Sequence, residues 1–155
     1  MTRATHPFAL PAKLPLDIDR VWDYWKSLKR GENKIPFWDD LKLSALPDLA
    51  DRLMLVDVFE APQRFRFNSV GERIRQSYGG DLAGKFADEI DPRSPLKFFI
   101  AQASVTVETN APTFSIDTAP SDGRREAGDA RLLLPLWGSG RIEMMLGAVT
   151  GASKV

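Results

Sequence analysis

Cysteine is absent from the 155-residue sequence, and histidine occurs once, as His6. Without cysteine the chain has no disulfide, thiolate zinc site, cysteine nucleophile or flavin–cysteine adduct. His6 lies near the terminus among Pro7, Pro11 and Pro15, and proline at that density favours an extended chain. We therefore expect no catalytic triad, no histidine metal site, no haem and no other cofactor.

Two further absences narrow the class of partner. No apolar run approaches the ~20 residues that cross a membrane, and the first residues lack the apolar core of a secretory signal, so we expect a cytoplasmic protein. Lys plus Arg and Asp plus Glu each number 21, so no net charge attracts nucleic acid or an anionic membrane. The length suits one domain, which we place at residues 17–150 after an extended tail at residues 1–16.

The first periodic segment predicts an amphipathic helix over residues 17–30. Asp17 would cap its start, and Gly31 its end. The apolar stripe would pack on the chain's own sheet or also on a second copy. On the second alternative we predict a homodimer, because aromatic side chains are enriched in interfaces. Its interface would comprise Val21, Trp22, Tyr24, Trp25 and Leu28.

Apolar runs and alternating patterns predict five strands, at residues 53–59, 64–70, 113–118, 130–137 and 141–149. Helical spacing predicts segments at residues 71–78, 86–90 and from Ser94 to about 107, and residues 121–129 form a polar loop. Short turns favour antiparallel neighbours. We therefore expect an α+β fold, in which the middle helices cover one face of a five-stranded antiparallel sheet.

This order of elements resembles the PAS domain, and several motifs resemble a bacterial family of PAS-like proteins over residues 21–149. The motifs are Leu53-Met54-Leu55-Val56-Asp57-Val58, Gly80-Asp81-Leu82-Ala83-Gly84 and Leu133-Leu134-Pro135-Leu136. The resemblance implies a non-enzymatic sensory or regulatory module. Such a module acts through a signalling partner, a second copy or both. The alternatives are a small-ligand carrier and an enzyme of a small α+β barrel type.

In a PAS-like arrangement, ligands lie between the sheet and the middle helices. The resemblance therefore implies an apolar small-molecule site lined by Phe67, Ile74, Tyr78, Phe99, Ala103, Phe114, Ile116, Trp137 and Met145. A filled core is the alternative, because protein interiors normally pack without voids.

Individual polar residues and glycines carry further expectations. Asp57 interrupts an apolar strand, so it needs a partner, which is either an internal amide or arginine or a ligand. The pairs Asp39-Asp40 and Asp88-Glu89 are candidates for general acid–base chemistry, but they lie beside turns, where solvated carboxylates are the default. Gly71 and Gly84 lie where the chain changes direction, and we expect a positive φ at both.

Overall fold

The computed structural model describes residues 8–93, 95–117 and 129–151. Its helices and strands are, in chain order, α1 (Leu16–Ser27), β1 (Leu53–Phe59), β2 (Arg64–Val70), α2 (Glu72–Tyr78), α3 (Phe99–Thr109), β3 (Thr113–Asp117), β4 (Asp129–Gly138) and β5 (Arg141–Gly151). Four short 3-10 turns lie at Trp38–Asp40, Leu43–Ala45, Ala50–Arg52 and Ala87–Glu89. The expected α+β class is confirmed. Ser94 and most of the expected loop, residues 121–128, lie outside the described residues.

The five strands form one antiparallel sheet in the order β2-β1-β5-β4-β3. The last strand, β5, is therefore central, and its neighbour β1 has the near-continuous apolar sequence of a strand covered on both faces. Two bulges shift the register. One lies between Leu55 and Val56 opposite β2, and the other lies between Leu136 and Trp137 opposite β5.

Each face of the sheet has its own core. The face that α2 and α3 cover is called the inner face here, and Val56, Phe67 and Met145 are among its fully buried side chains. The opposite face is called the outer face, where α1 and the turns before β1 cover side chains such as Leu134 and Leu146. The alternation of side chains along each strand supplies both cores.

The first helix differs at both ends from the expected residues 17–30. α1 starts at Leu16 after Pro15, so Asp17 lies in the first turn and is not the cap. The Asp17 carboxylate instead accepts a hydrogen bond from the Arg52 guanidinium, in the turn before β1. α1 ends at Ser27, and Gly31, with φ +51°, lies in the turn that follows.

The longest middle helix starts later than the sequence suggested. α3 begins at Phe99, because Phe98 adopts a left-handed conformation with φ +59° that an α-helix does not continue. The expected helical piece at residues 86–90 is a single 3-10 turn, Ala87–Glu89.

The two glycines differ in what they require. Gly84 has φ +85°, as expected, and open space where a Cβ would lie. A positive φ at Gly71 is wrong, because its φ is −64° at the start of α2. Glycine is needed there for a different reason: a Cβ would lie 2.8 Å from the Ala50 carbonyl oxygen and closer still to that of Asp51.

We predict that Gly71→Ala destabilises the protein by about 2 kcal/mol or more, because backbone at residues 50–51 must move. Gly84→Ala should cost about 1 kcal/mol, the strain of a side chain at positive φ. Gly80→Ala is the control, since its Cβ would meet only the Tyr78 ring, at 3.8 Å. Urea unfolding measures all three. A Gly71→Ala protein as stable as the Gly80→Ala protein would contradict the close approach.

Candidate functional site

The inner-face site implied by the resemblance is a packed cluster in this structure. Six of the nine expected lining residues belong to one buried core: Phe67, Ile74, Tyr78, Phe99, Ala103 and Met145. The ring centroids of Phe67 and Phe99 are 5.2 Å apart, within the range of aromatic pairs. Trp137 packs against the same core and lines a pocket of about 420 Å³ at its edge. These contacts favour the filled-core alternative.

The other two expected lining residues lie on the opposite face of the sheet. Phe114 belongs to the outer core, and Ile116, two residues further along β3, is 50% exposed. Their placement in an inner-face site is therefore wrong. The reason is that Thr113, the polar neighbour of Phe114, faces α3, where its hydroxyl accepts a hydrogen bond from Gln102. Side chains alternate along a strand, so Phe114 must point the other way.

Thr113 belongs to a buried polar cluster that fixes this choice of face. Arg131 on β4 is only 3% exposed, and its Nε donates to the Gln102 side-chain oxygen at 2.7 Å. The other two guanidinium nitrogens donate to the carbonyl oxygens of Pro95, at 2.8 Å, and Lys97, at 2.9 Å. A buried cation needs such partners. Arg131 therefore joins the sheet, α3 and the segment before α3.

We predict that Arg131→Met lowers the free energy of unfolding by about 3 kcal/mol or more, because it leaves the Gln102 oxygen and two carbonyls without their donor. Arg131→Lys should keep only part of the free energy of unfolding that Arg131→Met loses, since an ammonium cannot reproduce the guanidinium fork. Arg73→Met is the matched control, because Arg73 is exposed on α2. Chemical denaturation provides the measurement, and equal losses from the two Arg→Met changes would contradict the role given to Arg131.

The expected dimer-interface residues pack mainly within their own chain. Val21 and Trp25 are buried in the outer core, and the Trp25 indole donates to the Pro135 carbonyl at 2.9 Å. Trp22 and Tyr24 are half-buried against the same core, in agreement with the alternative in which the stripe packs on the chain's own sheet. Leu28 is also half-buried. Val21 and Trp25 are therefore corrected to core residues, while the homodimer itself stays a prediction.

The part of the outer face that α1 leaves uncovered forms a groove of about 560 Å³. Strands β1, β2 and β5 form its floor and one wall, and the turn Trp38–Asp40 forms the other wall. Its lining residues are Trp38, Asp39, Leu41, Leu55, Asp57, Val58, Phe59, Arg66, Asn68, Arg141, Glu143 and Met144. We take this outer groove as the candidate functional site, since it combines an apolar floor with charged and aromatic side chains.

Asp57 in the outer groove has internal partners. Its carboxylate accepts hydrogen bonds from Arg66, at 2.9 and 3.1 Å, and from the Asn68 amide, at 3.2 Å, both on the neighbouring strand β2. The polar residue in an apolar strand is therefore explained by a cross-strand ion pair, the first of the two alternatives drawn from the sequence. The Arg66 guanidinium on β2 also lies 5.1 Å from the centre of the Phe59 ring on β1. This contact connects the two strands along this wall of the groove.

Two contacts hold the opposite wall in place. The Trp137 amide donates to the Pro36 carbonyl at 2.8 Å, which attaches the chain before Trp38 to the edge of β4. Arg30 donates to both carboxylate oxygens of Asp40, at 2.7 and 2.8 Å. This hydrogen-bonded ion pair lowers the pKa of Asp40 below its ordinary value.

One carboxylate of each pair singled out in the sequence, Asp40 or Asp88, has a lowered pKa. The Arg64 guanidinium binds Asp88 in the same way and lowers the pKa of that carboxyl. A general acid at neutral pH needs a raised pKa. Asp40 and Asp88 therefore act as anchors for surface turns.

We predict that Arg30→Gln raises the pKa of Asp40 towards the ordinary ~3.9 of aspartate, because the Arg30 hydrogen bonds are the largest cause of the shift. Because the pKa of Asp40 is lower in the folded than in the unfolded protein, the Arg30–Asp40 pair stabilises the fold at pH values above the unfolded pKa. That stabilisation is lost as the pH falls through the folded pKa. Carboxyl NMR titration measures the midpoint. Arg20→Gln is the control, since Arg20 instead lowers the pKa of Asp48. An unchanged Asp40 midpoint in Arg30→Gln would refute this cause.

Comparison with known proteins adds no assignment to this site. No family model matches the chain, and no match was found among curated proteins or solved structures. Within the described ranges, no three or more acidic or histidine side chains come together as a metal site would require. None of the helices in those ranges combines the length and apolar character that crossing a bilayer demands.

The sequence does not predict the outer groove, and of its twelve lining residues only Asp57 has a ligand role among its alternatives. The sequence favours a solvated carboxylate over an acid–base role at Asp39, and it places Glu143 on the polar side of an alternating strand. The available signal was a tryptophan in a polar turn, Phe37-Trp38-Asp39-Asp40, since a large aromatic side chain in a turn has little of its own to pack on.

Proposed function

We propose that this chain is a non-enzymatic, PAS-like regulatory module that acts by binding a partner protein in the outer groove. The observation that carries the proposal is the open half of the outer face, where α1 covers β4 and β5 but leaves Leu55, Phe59 and Trp38 beside solvent. Exposed grooves of this kind are typical of interaction sites.

The order of elements supports the PAS-like part of the proposal. Two hairpin-connected strands precede the middle helices and three further strands follow, within one antiparallel sheet. This is the order on which the resemblance to PAS domains was based. The packing of the inner face favours a protein-binding function rather than the binding of an enclosed ligand, because the expected lining residues contact one another there.

Site-specific photo-cross-linking tests the proposal in the cells that produce the protein. Benzoylphenylalanine at Asn68, which lines the outer groove, should give a discrete protein adduct. The same residue at Glu108, exposed on α3 beyond the other face of the sheet, should not give that adduct. Adducts that are absent, or identical from both positions, would show that the groove does not bind a partner.

A further inference from the structure

Trp38 has an exposed ring with no cation over it from the described residues. In the same structure, the Lys26 ammonium lies 4.1 Å from the Trp22 ring centre, and the Lys29 ammonium lies 5.0 Å from that of Trp25. Trp38 is the most exposed of the tryptophans, at 45%. A guanidinium or ammonium is attracted to the face of such a ring.

The Trp38 ring lies beside the Glu143 carboxylate, for which the described residues supply no hydrogen-bond or ion-pair partner. A Cβ built on Gly138 would lie 2.6 Å from Cδ1 and 2.8 Å from Nε1 of Trp38, and it would also overlap Oε1 of Glu143. The indole and the Glu143 carboxylate therefore share the space above this glycine. Among the described residues, none forms a hydrogen bond or ion pair with Glu143 or with Asp39, the neighbour of Trp38.

The other charges of the outer groove are already compensated. Arg66 pairs with Asp57. Arg141 donates to the Val58 carbonyl at 3.0 Å and lies 3.5 Å from the Glu60 carboxylate. Of the three lining carboxylates, only Asp57 therefore has an ion-pair partner among the described residues. Glu143 shares the space above Gly138 with the Trp38 indole, and Asp39, which interacts with Arg30 through its charge, follows Trp38 in the chain.

We propose that the outer groove receives an arginine side chain of the partner protein, stacked on Trp38 and paired with Glu143 and Asp39. The inference rests on the proposed function and names the chemistry of the partner. A planar guanidinium can stack on the ring and donate in its plane to carboxylates at the ring edge. An ammonium is a point charge that lacks this fork.

The size and floor of the groove indicate a protein segment rather than a free cation. At about 560 Å³ the groove has room for much more than one guanidinium group. Its apolar lining, which includes Leu41, Leu55 and Met144, suits the aliphatic stem of arginine and an apolar neighbour in the same segment. The expected occupant is therefore a short stretch in which arginine adjoins apolar residues.

The test uses the full chain and the peptide acetyl-Leu-Arg-Leu-amide, with the citrulline peptide as its neutral isostere. Binding is followed by the NMR signal of the Trp38 indole Nε1–H. The arginine peptide should shift this signal saturably, with about tenfold higher affinity than the citrulline peptide. Ethylguanidinium, which has the same charged group without a peptide, should bind more weakly than the arginine peptide.

Two single substitutions locate the site. Glu143→Gln and Asp39→Asn each remove one carboxylate without an ion-pair partner among the described residues. Each should lower the affinity for the arginine peptide several-fold and leave the affinity for the citrulline peptide unchanged. Asp39 is exposed in a turn, so its variant keeps the test valid even if Glu143→Gln disturbs β5. Glu108→Gln, on α3, is the matched control and should bind like the unaltered chain.

Three results would overturn the inference: equal affinity for the arginine and citrulline peptides, no shift of the Trp38 signal, or ethylguanidinium binding as tightly as the arginine peptide. The last result would identify a site for small organic cations. If a partner is cross-linked at Asn68 but the arginine peptide does not bind, only the inference about arginine is refuted. Arginine binding without a cross-linked partner would support this site chemistry and refute the proposed function.

Discussion

The hydrogen bonds of the buried Arg131 guanidinium join three parts of the described structure: β4, α3 and the segment before α3. From β4 the guanidinium reaches Gln102 on α3 and the carbonyls of Pro95 and Lys97 in the segment before it. Immediately beyond that segment, Phe98 takes a left-handed conformation and α3 begins. The place where α3 starts, and therefore the inner core beneath it, depends on a buried cation whose donors must all find acceptors.

The same constraint determines which surface remains for binding. Because the polar cluster faces α3, the apolar side of β3 faces outward, and Phe114 joins the outer core that α1 covers. α1 packs along β4 and β5 and ends at Ser27, and the turn Trp38–Asp40 contacts the same two strands. Beyond Leu53, which belongs to the outer core, the outer sides of β1 and β2 and the start of β5 line the outer groove.

Sequence periodicity was sufficient to predict the five strands and the apolar stripe of α1, because side-chain alternation and helical spacing are local properties. It failed at β3, where Phe114 and Ile116 form the more apolar side but Thr113 faces the inner core. A polar cluster assembled from β3, β4 and α3 leaves no local signal, since each member looks like an ordinary surface residue. Gly71 shows the same limit, because its constraint comes from backbone twenty residues earlier, at Asp51.

The bulge in β5 explains how the Glu143 carboxylate comes to line the outer groove. Leu136 lies opposite Met144, but Trp137 lies opposite Ile142, so Glu143 is the extra residue on β5. Extra residues of this kind bend a strand and redirect a side chain. Here Glu143 and Met144 both line the groove, whereas strict alternation would send one of them to the other face. The bulge therefore lets the Glu143 carboxylate share the space above Gly138 with the Trp38 indole.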